Sequence, residues 1–371
     1  SLLDSSQSMR PYLKVKKAIA LFLAVLMMLA AAGCSSSAPV QNQEPAASAA
    51  PAAAETAADP YADMEPVTFN IATSYKEGSD YINTLQAACD RIAERTNGKV
   101  SFTIYGGNQL GSTADVTELM LGGSNIAAGL GMANLAGYIK EAAIPGYPYV
   151  VNNYDELRNL LSSQWWEDIK QQLADQWNMV PIMAFSVGYR NMVGSVPVRT
   201  PEDLAPVITR IGLGTIGQDF IAACGGTPTT TASFSDCYSA LQTKMFELCE
   251  ADTELLYTSG LYEVAKYLSV THHMMNPCMF AVHKSYWDKI PEEYQNIVLE
   301  ELDQAGSDIW NNYSVKENEW IQKFADSGVT IVHNDEVDAE AFKALTPKLM
   351  ERQGVSPEEY QKVVAAVSGN E

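Results

Sequence analysis

Strand-like and helix-like segments take turns along this chain from Val67 onward. Val67-Thr68-Phe69-Asn70-Ile71-Ala72-Thr73 alternates apolar and polar residues, the period of a half-buried strand. Tyr81, Leu85, Ala88 and Ile92 then recur at helical spacing up to Asn97-Gly98, a helix stop. Val100 to Tyr105 predicts a second strand, Gly106-Gly107-Asn108-Gln109 a turn, Thr113 to Leu121 a helix and Ile126 to Leu130 another strand. Such alternation predicts parallel sheets covered by helices.

The first 65 residues do not share this pattern. Lys14, Lys16 and Lys17 precede an apolar run, Ala18 to Ala32, which is too short for a confident membrane span and predicts an export signal. Residues before Met9 look like an upstream extension, so 1–33 is taken as signal segment. Ala31-Ala32-Gly33-Cys34 resembles a lipobox, in which Cys34 would be lipidated, although the usual leucine three residues before the cysteine is absent. The alternative is plain cleavage beside an incidental cysteine. Residues 34–65, rich in Ala, Pro and Ser, lack the apolar content for a core and predict a disordered tether. The remaining stretch of about 305 residues suits two lobes.

The net charge is −21; residues 1–33 carry +3, leaving −24 beyond them. So acidic a chain repels phosphate backbones, which excludes nucleic acid as a partner. It also repels small anions at long range, so an anionic ligand needs local cations. Beyond Cys34 stand Cys89, Cys224, Cys237, Cys249 and Cys278, an odd number without metal-type spacing, which predicts buried apolar thiols.

In the second half, Asp155 to Trp177 predicts one or two helices and Val180 to Phe185 a buried strand. Thr200 caps a predicted helix with Pro201 in its first turn; Pro206 ends it, and Val207 to Ile211 predicts a strand. Ser233 to Thr243 predicts a further helix. The C-terminal third is mostly helical, with Tyr294, Ile297, Val298 and Leu302 on one face.

Gly212-Leu213-Gly214-Thr215-Ile216-Gly217 matches a dinucleotide fingerprint, with Asp236 near the position of the ribose acid. Arg210 interrupts the strand that should precede it and no complete βαβ unit begins there, so we take it as a glycine-rich turn; no cofactor is expected. His272-His273 and His283 do not predict a metal, because adjacent histidines point to opposite sides of an element. Glu247, Glu250, Asp252 and Glu254 form an acidic run, expected as a solvated face, with contact to a cationic ligand group or a transporter surface as the sharper reading. No nucleophile elbow or metalloprotease motif is present, and no enzymatic activity is expected.

Arg190 and Arg210 remain. Arginine suits a carboxylate because its planar fork donates two parallel charge-assisted hydrogen bonds. Two surface arginines are the bland alternative.

Several segments together resemble the extracytoplasmic solute receptors of tripartite ATP-independent periplasmic (TRAP) transporters. They are Glu94-Arg95-Thr96-Asn97-Gly98-Lys99-Val100, Gln109-Leu110-Gly111, Pro201-Glu202-Asp203-Leu204, Phe234 to Thr243, Tyr267 to Thr271 and Trp287-Asp288-Lys289-Ile290-Pro291. The resemblance runs from about Val67 to Gln361. It implies an α/β fold of two lobes, of the periplasmic-binding-protein type II, with a long hinge-spanning helix and a ligand cleft between the lobes. On this basis the first lobe is expected over 66–188 plus 276–300, and the second over 189–275 plus 301–371. Arg210 falls on the family's carboxylate-clamping arginine, Arg190 on its partner, Phe234 on a pocket aromatic, and Tyr75 on a weaker position. The family commonly has Gln-Glu-Asn where this chain has Cys249-Glu250-Ala251, so Ala251 replaces an amide that helps hold the carboxylate. The ligand set is then Arg190, Arg210, Phe234, Tyr75, Glu250 and Ala251. The implied function is capture of a small organic acid or other carboxylate solute and its delivery to membrane permease subunits, by a protein anchored outside the cytoplasm through lipidated Cys34. The alternatives are an exported enzyme and a ligand-sensing lipoprotein coupled to a membrane sensor.

Overall fold

The computed structural model describes residues 59–370, so the export signal, Cys34 and most of the tether lie outside the described residues. The chain builds its first sheet from β1 (Val67–Ala72), followed by α1 (Asp80–Arg95), β2 (Val100–Tyr105), α2 (Thr113–Leu121) and β3 (Ile126–Gly131). Val67, Phe69 and Ile71 of β1 are buried, as the two-residue period requires. Ser79 caps α1 by accepting the Ile82 N–H, and Ser112 with Asp115 forms a capping box on α2.

Two 3-10 turns, Met132–Gly137 and Glu141–Gly146, lead to α3 (Tyr154–Leu161), α4 (Gln164–Trp177) and β4 (Met179–Ser186). The helical stretch predicted over 155–177 is thus two helices. Ser163 opens the second by accepting the Trp166 N–H, while Ser162 ends the first.

The second sheet begins with β5 (Arg190–Gly194), then β6 (Ile208–Arg210), α5 (Gly214–Ala223), β7 (Thr227–Thr229), α6 (Cys237–Gln242), β8 (Leu248–Asp252), α7 (Thr253–Thr258) and β9 (Tyr267–Met274). The helix predicted at Thr200 is a single 3-10 turn, Pro201–Leu204, closed by a Thr200–Asp203 capping box. Pro206 follows at once, without the N–H that a longer helix needs. Likewise the helix predicted from Ser233 starts as a 3-10 turn, Phe234–Asp236, before α6.

The chain returns to the first sheet with β10 (Pro277–His283). It then runs through α8 (Lys284–Trp287), α9 (Glu292–Asp326), β11 (Thr330–Val332), α10 (Ala339–Lys343), α11 (Thr346–Gln353) and α12 (Pro357–Ser368). Strand order is β2-β1-β3-β10-β4 in the first sheet and β11-β9-β5-β8-β6-β7 in the second. β1 lies parallel to β2 and β3, whereas β10 is antiparallel to β3 and β4. In the second sheet β5 is antiparallel to β8 and β9, and β6 is parallel to β7 and β8.

The chain crosses between sheets three times, from β4 to β5, from β9 to β10, and from β10 through α9 to β11. At the first crossing Gly188 has φ +117°, and a Cβ there would lie 2.1 Å from Cε2 of Tyr313 on α9. Only glycine lets the crossing strand pass over the helix. α9 has 35 residues, about 50 Å of helix. Its Tyr294, Val298, Leu302 and Ile309 pack with Phe69, Ile71 and Phe280 of the first sheet, and its Phe324 packs with Leu268 and Val270 of the second.

Within residues 301–371, expected as second lobe and C-terminal helices, two segments pack against elements around the first sheet. Within α9, Glu301 pairs with Arg91 and Arg95 of α1 at 2.6 and 2.8 Å. α12 buries Val363, Ala366 and Val367 in a core shared with Leu157, Trp166 and Ile169, and Asn159 of α3 donates to the Val367 carbonyl at 3.1 Å. The apolar side of α3 and α4 needs a cover, and the amphipathic last helix supplies it.

Candidate functional site

Strand ends of both sheets converge on one cleft, the usual place for a ligand in open α/β sheets. Its inner cavity is about 170 Å³ and adjoins a second of about 560 Å³; Arg210, Phe234 and Asn134 line both. The first sheet contributes Thr73, Ser74 and Tyr75 after β1 and Gly131 at the end of β3. The second contributes Arg210, Gly212, Ala251 and Asp252, and the crossings bring Arg190 and Asn276.

Arg210 ends β6. Its Nε donates to the Ala232 carbonyl at 3.3 Å, and its guanidinium carbon lies 5.6 Å from the centre of the Phe234 ring. It has no carboxylate partner among the described residues. A Cβ on Gly212 would come 2.9 Å from Arg210 Nη1, so the glycine makes room for the guanidinium. The glycine-rich segment therefore serves Arg210 and the packing of α5. Asp236, the candidate ribose acid, accepts from the Ser233 hydroxyl at 2.7 Å and the Ser233 N–H at 3.2 Å.

Arg190 opens β5 and lines the same cavity, but its fork is occupied. Its Nε donates to Glu250 Oε2, and its Nη2 donates to Glu250 Oε1 at 2.7 Å and to the Glu250 carbonyl at 3.2 Å. Glu250 also accepts the Gly212 N–H at 3.1 Å and is fully buried. Burial opposes the Glu250 charge, but the Arg190 guanidinium outweighs it and holds the carboxyl well below the usual carboxylate range. Burial likewise opposes the Arg190 charge, and Glu250 more than restores it. Glu250, counted among the candidate ligand residues, does not line the cavity; it stands behind the wall as the partner of Arg190.

The acidic run is not a solvated face. β8 is an interior strand of its sheet, so Glu250 and Asp252 are buried, and Glu247 accepts the Ile208 N–H at 2.8 Å. Asp252 lines the cavity, accepts the Tyr75 hydroxyl at 2.6 Å and accepts the Leu255 N–H at 3.0 Å as the cap of α7. Burial raises its pKa, against the lowering effect of the Tyr75 hydrogen bond. The Tyr75–Asp252 bond links the first sheet to the second across the cleft. Tyr75 is also stacked on Tyr81, with centroids 4.3 Å apart. Ala251 lines the cavity between Glu250 and Asp252 and presents only a methyl group.

The structure brings Arg190, Arg210, Phe234, Tyr75 and Ala251 to one cavity. Asp252, Asn134 and Asn276 were not among the candidate ligand residues. Asn134 and Asn276 follow the ends of β3 and β9, and that position at a strand end is the signal that could have found them. The two adjacent histidines diverge as expected: His272 Nε2 lies 2.6 Å from Glu317 Oε1 on α9. His273 is buried, with Nδ1 2.8 Å from the Thr271 hydroxyl and Nε2 3.6 Å from Glu250 Oε2. Burial lowers the His273 pKa, against the raising effect of Glu250.

Residues 71–354 match the family model described as bacterial extracellular solute-binding protein, family 7. The sialic acid-binding periplasmic protein SiaP of Vibrio cholerae is 26% identical over 260 residues, 70% of this chain and 80% of that protein. A TRAP periplasmic solute binding protein from Ochrobacterium anthropi, solved with bound L-fuconate, gives a TM-score of 0.76 at 26% identity, covering 81% of this chain and 99% of its own. One from Escherichia fergusonii, in an apo open form, gives 0.69 at 27% identity over 81% and 99%. The chain belongs to extracellular solute-binding protein family 7, the solute-binding component of TRAP transporters, a family of receptors and not of enzymes.

Proposed function

We propose that the protein captures a small carboxylate-bearing solute in this cleft, with the carboxylate on Arg210, and delivers it to the membrane permease of a TRAP transporter. The observation that carries this reading is Arg210 itself: a guanidinium on the cleft wall without a carboxylate partner among the described residues. A carboxylate placed there would receive two charge-assisted hydrogen bonds from its fork, with Phe234 covering one side. Arg190, its charge compensated by Glu250, acts as a fixed wall and spacer of the site.

Elsewhere on the cavity wall Asp252, Asn134 and Asn276 offer acceptors. The ligand therefore carries hydrogen-bond donors besides its carboxylate, as a hydroxy acid does. Ala251 leaves room for a bulkier carbon next to the carboxylate. The L-fuconate bound by the Ochrobacterium anthropi protein is a hydroxy acid of this kind. Because a ligand touching both sheets favours the state in which they approach, binding shifts the receptor toward closure. A micromolar affinity requires about 8 kcal/mol, within reach of one buried ionic contact and several hydrogen bonds after ordering costs.

Export and anchoring through lipidated Cys34 complete the proposal. They rest on the charged and apolar run before the Ala-Ala-Gly-Cys segment. Loss of detergent-phase partitioning in Cys34→Ala would support anchoring, and a wild type that stays in the aqueous phase would sink it. A thermal-shift screen of hydroxy, keto and sugar acids followed by calorimetry tests the site. Arg210→Ala should bind the best hit about 100-fold more weakly while remaining folded; unchanged affinity would overturn the clamp.

A further inference from the structure

Behind the cleft wall two cysteines meet. Cys237 opens α6 and Cys249 lies in β8, immediately before Glu250. Their Sγ atoms are 3.0 Å apart, and both residues are fully buried among Val193, Ala240 and Leu241. Non-bonded heavy atoms rest at roughly 3.5–4.0 Å, so the two sulfurs are closer than apolar filler settles, and about 1 Å from a covalent bond. The sequence expectation of separate buried thiols accounts for Cys89 in α1 and Cys224 after α5. It does not account for two thiols in contact.

We propose that Cys237 and Cys249 form a disulfide in the exported protein. It is acquired by exchange with a disulfide oxidant, a small molecule or an oxidoreductase, while the chain folds. The Cys237 thiolate attacks the oxidant's S–S bond and releases one oxidant thiol. Cys249 then attacks the mixed disulfide, the Cys237–Cys249 bond forms, and the second oxidant thiol leaves. Two electrons pass to the oxidant's sulfurs, and the two cysteine protons end on its thiols. In the folded pair the Cys237 pKa is lowered, first by the hydrogen bond with Cys249 and further by Arg210, whereas burial raises that of Cys249. An extracytoplasmic compartment provides such oxidants.

The bond would tie together the two walls that flank Arg210. One is the Phe234–Asp236 turn running into α6; the other is β8, which carries Glu250, Ala251 and Asp252. Its closed loop, from Cys237 to Cys249, includes no part of the first sheet, so the disulfide stiffens one wall of the cleft and leaves closure free. The inference goes beyond the ligand reading and does not depend on which solute binds.

The test is peptide mapping of the purified protein, as isolated and after refolding in a glutathione redox buffer, with free thiols alkylated before digestion. Trypsin cuts after Lys244, between the two cysteines, and chymotrypsin after Phe234 separates Cys237 from Cys224. The expected result is a reductant-sensitive Cys237–Cys249 peptide pair, with Cys89, Cys224 and Cys278 alkylated. Dithiothreitol should lower Tm by several degrees, and Cys237→Ala should show the reduced Tm with no response to reductant. Full alkylation of both cysteines after oxidative refolding, or pairing of either with Cys89, Cys224 or Cys278, would overturn the proposal.

Discussion

Two arginines line the same cavity from neighbouring parts of one sheet, and their surroundings divide their work. Arg190 enters on β5, directly across from β8, and meets Glu250 at once; its fork is filled by protein atoms. Arg210 ends β6 on the other side of β8, beside Gly212 and Phe234, and meets no carboxylate among the described residues. The same residue type therefore acts as a strut in one place and as an open cation in the other. The difference lies in which neighbour the strand pairing supplies, because a buried guanidinium held by two hydrogen bonds to a carboxylate is already neutralised.

The comparison breaks most readily at the strut. Arg190→Ala leaves Glu250 buried without its cation and should cost about 3–5 kcal/mol of stability by urea denaturation. The paired change Arg190→Met with Glu250→Leu should recover most of that loss. If Arg190→Ala unfolds at the wild-type urea concentration, the pair is not structural. Arg210→Ala should show the opposite profile: stability within about 1 kcal/mol of wild type, with carboxylate affinity down by about 100-fold in calorimetry.

Smaller effects sharpen the contrast at the cleft rim. Tyr75→Phe removes the hydrogen bond to Asp252 that joins the two sheets and should cost about 1 kcal/mol. Ligand affinity should fall with it, because the closed state loses a contact; wild-type affinity in calorimetry would show that the bond plays no part in closure. A pH-dependent effect concerns Glu254, pushed up to about 7 first by burial and then by Asp252 and Asp80, against the pull of Lys316 and Lys323. A carboxyl raised in the folded state contributes stability fully present below its unfolded value, and that contribution is lost as pH rises through about 7. Glu254→Gln should therefore gain in Tm relative to wild type between about pH 4.5 and pH 7. A Tm difference that stays flat over this window would refute the assignment.

Much of this was legible in the sequence. The apolar spacing of Tyr81, Leu85, Ala88 and Ile92 up to Asn97-Gly98 encodes α1 locally, through period and stop alone. Arg210, Arg190 and Phe234 were found through chemistry and through the order of short motifs. What escaped was set by distant partners. Glu250 and Asp252 read as a charged surface run because their spacing cannot say that β8 is interior. The last helix crossed to α3 and α4 because their apolar side, some 200 residues earlier in the chain, was left uncovered.

The amino-acid sequence by itself determined the α/β alternation, the caps and turns, the acidic balance and the presence of two arginines suited to a carboxylate. These depend on propensity, periodicity and side-chain chemistry, which act over a few residues. Only the tertiary structure decided which arginine stays open, which acids are buried, and that Cys237 meets Cys249. Each of those outcomes depends on strand order, and strand order is fixed by how whole elements bury their faces against one another.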